Sequence, residues 1–236
     1  MSDYLKMLQE DVRFQEGLNA CINCGTCTAI CPAAEVYKYD PRILTDKLQA
    51  RNEEVVEELL KSDEIWYCGE CMSCKTRCPR DNVPGLLVIA LRNLSQKTGL
   101  FAESEKGRQQ LFLKRSIGEW ILNYGYCVYA PHVTTKMFPE QGPVWDWIKD
   151  NMDEVYSRAG AKLGQDGPGC LRKIPDADLQ ELQSIFDVTG GTERYEQIEK
   201  VSAAKAAELN IPFDDSHSDP YFLKIYNENE KDHHEI

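Results

Sequence analysis

Eight of the ten cysteines fall in two matching runs. The first is Cys21-x2-Cys24-x2-Cys27-x3-Cys31-Pro32, and the second is Cys68-x2-Cys71-x2-Cys74-x3-Cys78-Pro79. Thiolates are soft ligands, and this spacing is one that holds cubane iron–sulfur clusters. Three thiolates two residues apart wrap a tight loop around three corners of a cube, and the intervening N–H groups point at the sulfurs. The proline after the fourth cysteine disfavours a helical conformation at that cysteine and is suited to open the next segment. In two-cluster versions of this spacing the fourth cysteine ligates the other cluster. Cluster one is therefore expected on Cys21, Cys24, Cys27 and Cys78, and cluster two on Cys68, Cys71, Cys74 and Cys31, both [4Fe–4S]. Each motif then staples the other, so neither half is expected to fold fully without iron. The rival occupants are two zinc ions or no metal at all. Zinc sites favour pairs of CxxC, not two runs of four each ending in Pro.

Two flanking features fit such a site. Gly25 follows Cys24 and Gly69 follows Cys68, which would let the backbone approach sulfide closely. Lys75, Arg77 and Arg80 surround the second motif, whereas no basic residue lies between Cys21 and Cys31. Positive charge stabilises a reduced, more negative cluster, so the second cluster is expected to have the higher potential. The bland alternative is that these three cations face solvent or a partner's carboxylates.

The elements that must position the cysteines read as helices. Asp40-Pro41 is an N-cap followed by proline at the first helical position. Ile43, Leu44, Leu48, Val55, Val56, Leu59 and Leu60 then form a stripe, with Glu53, Glu54, Glu57 and Glu58 largely off it and a possible break near Ala50–Asn52. Pro84-Gly85 leads into Leu86, Leu87, Ile89, Ala90, Leu91 and Leu94, with Gly99 as the stop. Tyr4, Leu5, Leu8, Val12 and Leu18 indicate a further helix begun near Ser2. The reading is mainly α: a dicluster domain over 1–100, a helical extension over 101–213 and an acidic tail over 214–236.

The extension carries no recognisable cofactor motif. Helices are expected over Lys106–Asn123, from Pro143 to Gly160, around Ala177–Phe186 and over Glu193–Leu209, with a loop from Ala161 to Lys173. The tail holds seven acids and two lysines and is expected to be disordered alone, although Tyr221, Phe222, Leu223, Ile225 and Tyr226 could dock. Cys127 and Cys170 read as small buried hydrophobes or, failing that, as a redox pair. His132, His217, His233 and His234 have no site-building spacing. Trp145 reads as core and Trp147 as an interface residue.

Composition narrows the function classes. The formal charge is -12 with a sequence pI near 4.9, which argues against a nucleic-acid binder and against adhesion to anionic lipid. The longest apolar run, Leu86 to Leu91, falls far short of the roughly 20 residues of a transmembrane helix. The N-terminus lacks a basic-then-apolar signal peptide. A cytoplasmic location follows as the expectation, and there clustered cysteines are metal ligands or catalytic thiols rather than disulfides.

The two motifs, written here as NACINCGTCTAICPAAEVY and IWYCGECMSCKTRCPR, resemble the C subunit of heterodisulfide reductase. The chain is also similar to the counterpart in heterodisulfide-reductase-like complexes of sulfur-oxidising bacteria. The resemblance covers roughly residues 1–100 and implies an α-helical ferredoxin fold, with no β-hairpin ferredoxin. The same unit recurs in succinate dehydrogenase, fumarate reductase and glycerol-3-phosphate or glycolate dehydrogenase subunits. Only twenty residues precede Cys21, no Cys-Cys pair occurs, and no fused transmembrane helices follow. These features favour a free-standing C subunit, in which the region after residue 100 is a departure.

The resemblance implies single-electron transfer between a flavin-containing, A-like protein and a Cys-Cys-Gly-type, B-like protein that handles a disulfide or thiol. No flavin site, GxGxxG loop or nucleophile–base pair accompanies it, so no catalytic residue is assigned. An iron–sulfur sensor or structural protein, a relay subunit of another dehydrogenase, and a disulfide reductase built on Cys127 and Cys170 are the competing readings. Two clusters would bring the charge to about -16, which favours a basic partner surface.

Overall fold

The computed structural model describes residues 3–227, and among them every regular element is helical. Two compact units divide the chain after Arg108.

In the first unit α1 (Tyr4–Gln9) and α2 (Val12–Gly17) replace the single N-terminal helix that the pattern suggested. The break has a local cause. Asp11 accepts the Arg13 N–H at 2.9 Å and caps a new helix, which leaves Val12 60% exposed. α3 (Thr26–Ala29) and α4 (Pro32–Val36) are single turns within and after the first cysteine run. α5 (Pro41–Gln49) begins where expected, with the Asp40 carboxylate accepting the Arg42 and Ile43 N–H groups. The suspected break is real: Arg51 adopts φ 51° and Asn52 caps α6 (Glu53–Leu60). Leu44, Leu48, Val56, Leu59 and Leu60 are buried, whereas Ile43 faces outward. The Glu53 carboxylate accepts the Tyr4 and Leu5 N–H groups at 2.6 and 2.9 Å, so α6 supplies a cap for α1.

The hub is α7 (Pro84–Thr98), which packs against α1, α2, α5 and α6. Leu87, Val88, Ala90, Leu91 and Leu94 are all buried, and Gly99 ends the helix in the left-handed conformation. α2 comes close enough that a Cβ on Gly17 would lie 3.0 Å from the Leu87 side chain and 3.2 Å from the Val83 carbonyl. The Val83 N–H donates to the Gly17 carbonyl at 2.8 Å. A short α8 (Glu105–Arg108) closes the unit.

The second unit starts with one interrupted helix. α9 (Gln110–Leu113), a π turn at Lys114–Gly118 and α10 (Glu119–Tyr124) follow one another, with Gly125 as the cap. α11 (Gly142–Asp150) and α12 (Met152–Arg158) form a pair broken at Asn151, and neither contains a fully buried residue. Trp145 is half-buried, its indole N–H donating to the Val133 carbonyl at 3.1 Å, and Trp147 is 60% exposed. The 161–173 segment is an ordered loop tied by Lys162 N–H to the Cys170 carbonyl (2.9 Å) and Gly164 N–H to the Leu171 carbonyl (3.0 Å). α13 (Asp176–Val188) and α14 (Gly191–Glu208) follow.

The expectation of a disordered tail fails for residues 214–227. α15 (Pro220–Asn227) buries Tyr221, Phe222 and Ile225, and the Asp219 carboxylate caps it by accepting the Phe222 N–H at 2.6 Å. Residues 228–236, with His233 and His234, lie outside the described residues. The contact that the tail required is Arg115, only 1% exposed inside the π turn. Its guanidinium donates to both Glu199 carboxylate oxygens at 2.8 Å and to the Asp214 and Ser216 carbonyls at 2.7 and 3.1 Å. It also lies 4.9 Å from the Phe213 ring centroid. A patterned helix gives no sign that one cation on its buried face will recruit the tail.

Burial alone would raise the Glu199 pKa, but the bonds from Arg115 and Lys114 outweigh it and hold the carboxyl below its ordinary value of 4.5. A depressed folded pKa contributes stability above the unfolded value and loses it as pH falls, so this unit should weaken below about pH 4.5. Arg115→Met leaves Glu199 with Lys114 as its remaining partner and strands two carbonyls, which should cost roughly 1–3 kcal/mol. Arg115→Lys should recover little, because an ammonium cannot reproduce the fork. Hydrogen exchange on the full chain is the check: residues 191–227 should lose protection while 41–98 keep theirs.

Candidate metal centre

The two cysteine runs adopt matching backbones. Asn23 and Glu70 each follow the first cysteine by two positions, adopt φ 56° and 53°, and donate their N–H groups to the Cys21 and Cys68 sulfurs at 3.4 Å. Gly25 (φ 78°) and Met72 (φ 57°) take the left-handed conformation after the second cysteine. Gly25 thus has a conformational reason to be glycine that Gly69, with no positive φ, lacks, and Met72 is the equivalent of Gly25. The hydroxyls of Thr26 and Ser73 lie 3.4 Å from the Cys24 and Cys71 sulfurs. These contacts hold both thiol pKa values below the usual range. The third cysteines are sheltered instead, and burial pushes the Cys27 and Cys74 thiols up. Burial raises Cys68 as well. Metal must then displace protons from these sites.

The fourth cysteines lie beyond their own loops. Cys31 caps α4 in an extended conformation with Pro32 at the first helical position, as the proline implied. It lines one pocket together with Cys68, Cys71 and Cys74 of the other run, and Cys27 of its own run lines the same pocket. Cys78 is extended after the 3-10 turn Lys75–Arg77 and accepts the Asn82 N–H at 3.3 Å. Its loop is stitched to the approach of the first motif. Asn19 donates from its backbone to the Asn82 side-chain oxygen at 2.7 Å and from its side chain to the Asp81 carbonyl at 3.1 Å, and Arg80 reaches the Ala20 carbonyl at 3.4 Å.

The residues fit iron–sulfur clusters by donor chemistry and by what is left unpaired. The sulfurs already receive N–H donors, as thiolate ligands require. Beside them, the buried Asn82 side-chain nitrogen has no protein hydrogen-bond partner, and the buried Tyr39 hydroxyl has none other than the Cys68 sulfur. Among the described residues no three His, Cys, Asp or Glu side chains close on a point that one ion would fill.

Two residues that pattern reading missed serve this centre. Arg92 donates to the Ile65 and Cys68 carbonyls, both at 2.6 Å, pairs with Glu70, and lies 5.4 Å from the Trp66 ring centroid. A charge closing the apolar run of α7 was its only trace in the sequence. Tyr39 is the second, hidden as the residue before a helix cap. The Gly85 N–H, at the start of α7, donates to Cys74, so a helix N-terminus faces this sulfur. Lys75, Arg77 and Arg80 are exposed. Arg80 bonds beside Cys21 and so sits at the first motif as much as the second.

Elsewhere the buried-thiol reading of Cys127 and Cys170 is wrong: both are exposed, Cys170 within the 161–173 loop. His132 and His217, far apart in sequence, meet beside Trp120 with ring centroids 6.3 Å apart.

Comparison with known proteins agrees with this geometry. Residues 17–82 match the model of the 4Fe-4S dicluster domain family. The chain is 32% identical over 182 residues to the C subunit of the ferredoxin:CoB-CoM heterodisulfide reductase of Methanosarcina acetivorans, covering 77% of this chain and 66% of that protein. It is 39% identical over 110 residues to the iron-sulfur C subunit of the CoB–CoM heterodisulfide reductase of Methanopyrus kandleri, covering 44% and 56%. It is 28% identical over 154 residues to the iron-sulfur C 2 subunit of the Methanocaldococcus jannaschii enzyme, covering 63% and 75%. The chain thus spans somewhat under two thirds of the first two relatives. A 182-residue alignment also exceeds residues 1–100, so the similarity runs into the second unit. The cysteines at 21–78 are the donor set of two [4Fe–4S] clusters.

Arg92 gives a test of the second loop. Arg92→Lys keeps the charge and loses the fork. Iron per chain should fall from about eight toward about four, one cubane being lost, while α7 keeps its helicity by circular dichroism.

Proposed function

We propose, for this homologue of heterodisulfide reductase C subunits, that the chain is the electron-transfer subunit of a heterodisulfide reductase-like complex. It would relay single electrons between a flavin-containing, A-like protein and a Cys-Cys-Gly-type, B-like protein that processes a disulfide or thiol. The observation that carries the reading is that Cys31 of the first run lines one pocket with Cys68, Cys71 and Cys74 of the second, where Cys27 also reaches. It supports the crossed sets: Cys21, Cys24, Cys27 and Cys78 for one cluster, and Cys68, Cys71, Cys74 and Cys31 for the other. When bound, the clusters supply carriers that change by one electron without bond chemistry.

The chain's own residues hold and graduate those carriers. Cys24 and Cys71 are exposed ligands, whereas Cys27, Cys68 and Cys74 are sheltered. Each cluster therefore has one edge at which a partner can approach within transfer distance. The ligand loops are hung on α7, which restrains them as charge changes. Among the described residues no helix is long and apolar enough to cross a membrane, and a cytoplasmic complex fits that. The negative charge of the loaded chain favours a basic partner face, so partner binding should weaken as salt rises.

Anaerobic protein should contain about eight iron and about eight sulfide per chain, as two cubanes require. A redox titration followed by EPR should show two interacting, reversible signals. Cys31→Ser should alter the same signal as Cys71→Ser, and Cys78→Ser the same signal as Cys24→Ser. Uncrossed pairing in that experiment would overturn the ligand sets. Serine at both Cys127 and Cys170 should leave the titration unchanged, whereas a reductase built on those thiols would lose its activity.

A further inference from the structure

One buried donor at the second cysteine set is aimed at sulfur. Tyr39 is 4% exposed, and its hydroxyl has no oxygen or nitrogen partner in the chain; the side chain within its hydrogen-bonding reach is that of Cys68. Buried tyrosine hydroxyls normally find an acceptor. Tyr39 lines the same pocket as Cys31, Cys68, Cys71 and Cys74. Ala33, Pro41 and Pro84 line the pocket with it, as do Cys27 and Ser73.

The ring is held in place from both sides of the chain. The Tyr39 N–H donates to the Tyr37 carbonyl at 2.7 Å, and Tyr37 stacks on Tyr67, the residue before Cys68, at 4.5 Å. The next residue, Asp40, caps α5 and accepts the Thr28 hydroxyl at 2.5 Å from the loop between Cys27 and Cys31. These contacts fix the backbone on either side of Tyr39, and the ring itself is buried. A tyrosine hydroxyl is protonated at neutral pH and acts as a donor.

We infer that Tyr39 donates a hydrogen bond to the sulfur cage of the cluster held by Cys31, Cys68, Cys71 and Cys74, and raises the reduction potential of that cluster. The inference rests on the two-cluster relay reading. Reduction adds negative charge to the cage, and a hydrogen bond to a more negative acceptor is stronger, so the donor favours the reduced form. The basis for a higher potential at the second cluster then shifts from three exposed cations to a buried hydroxyl.

The test is an EPR-monitored redox titration of the anaerobic full chain carrying Tyr39→Phe, with Tyr37→Phe as the control. The signal that Cys71→Ser perturbs should show its reduced-to-oxidised ratio lowered about tenfold at a given potential, a midpoint about 59 mV more negative for one electron. The other signal, and both signals of the control, should stay in place. An unmoved midpoint at full iron content, or a shift confined to the other signal, overturns the inference and leaves the relay intact. If Tyr39→Phe does not retain iron, 3-fluorotyrosine at position 39 keeps the shape and strengthens the donor. The midpoint should then rise, and no change overturns the inference. Wild-type clusters that fail to reduce reversibly would remove the relay reading and the inference with it.

Discussion

The buried helix α7 constrains the whole of the first unit, because the cysteine loops have little to hold them otherwise. Cys24 and Cys71 are exposed, and the other ligand cysteines are only half-buried. Four non-glycine residues of these loops, Asn23, Glu70, Met72 and Asp81, adopt positive φ. Each such residue costs roughly 1–2 kcal/mol. The loops are therefore strained and weakly packed, and their geometry must be imposed from outside. α7 imposes it at three levels: the Val83 N–H on Gly17 before the first motif, the Gly85 N–H on Cys74, and Arg92 on the carbonyls of the second loop.

The same helix makes the two cysteine sets unequal. Matching backbones give both sets N–H donors to sulfur and a hydroxyl beside the second cysteine. The second set also has the α7 N-terminus at Cys74, the Arg92 guanidinium on its loop carbonyls and a buried phenol, each of which favours added negative charge. A repeat in sequence thus becomes a gradient in environment, although α7 and the segment before α5 reach the first copy too, through Val83 on Gly17 and Asp40 on Thr28.

What was legible in the sequence was whatever has a local rule. The motif spacing, the Asp40-Pro41 cap, the Gly99 and Gly125 stops and the helical class all follow from short-range sterics and ligand chemistry. The breaks at Asp11 and Asn151 were missed because apolar periodicity runs through them, while a capping carboxylate or a turn decides locally. Arg92 and Tyr39 were missed for a different reason. Each acts through contacts more than twenty residues away, with Cys68 among their partners, and nothing in the neighbouring residues marks a side chain whose partner is remote. Cys127 and Cys170 were misjudged by residue-type averages, which say where cysteines usually sit and nothing about a loop closed by its own backbone bonds.

The second unit follows a logic of its own. It has no cluster ligands, yet it is organised around an ion pair that joins a π turn, α14 and the segment before α15. A buried guanidinium bonded to a carboxylate and two carbonyls demands a specific arrangement, since each partner left alone would be a buried unsatisfied group. Such a network is a poor source of stability compared with apolar packing but a strong selector of one conformation among several. α11 and α12, by contrast, bury no residue fully and present Val144 and Trp147 outward. The second unit thus fixes one conformation through its ion pair and leaves that helical pair lightly covered. The 182-residue similarity reaches into it, so the resemblance to the C subunit is not confined to the dicluster domain.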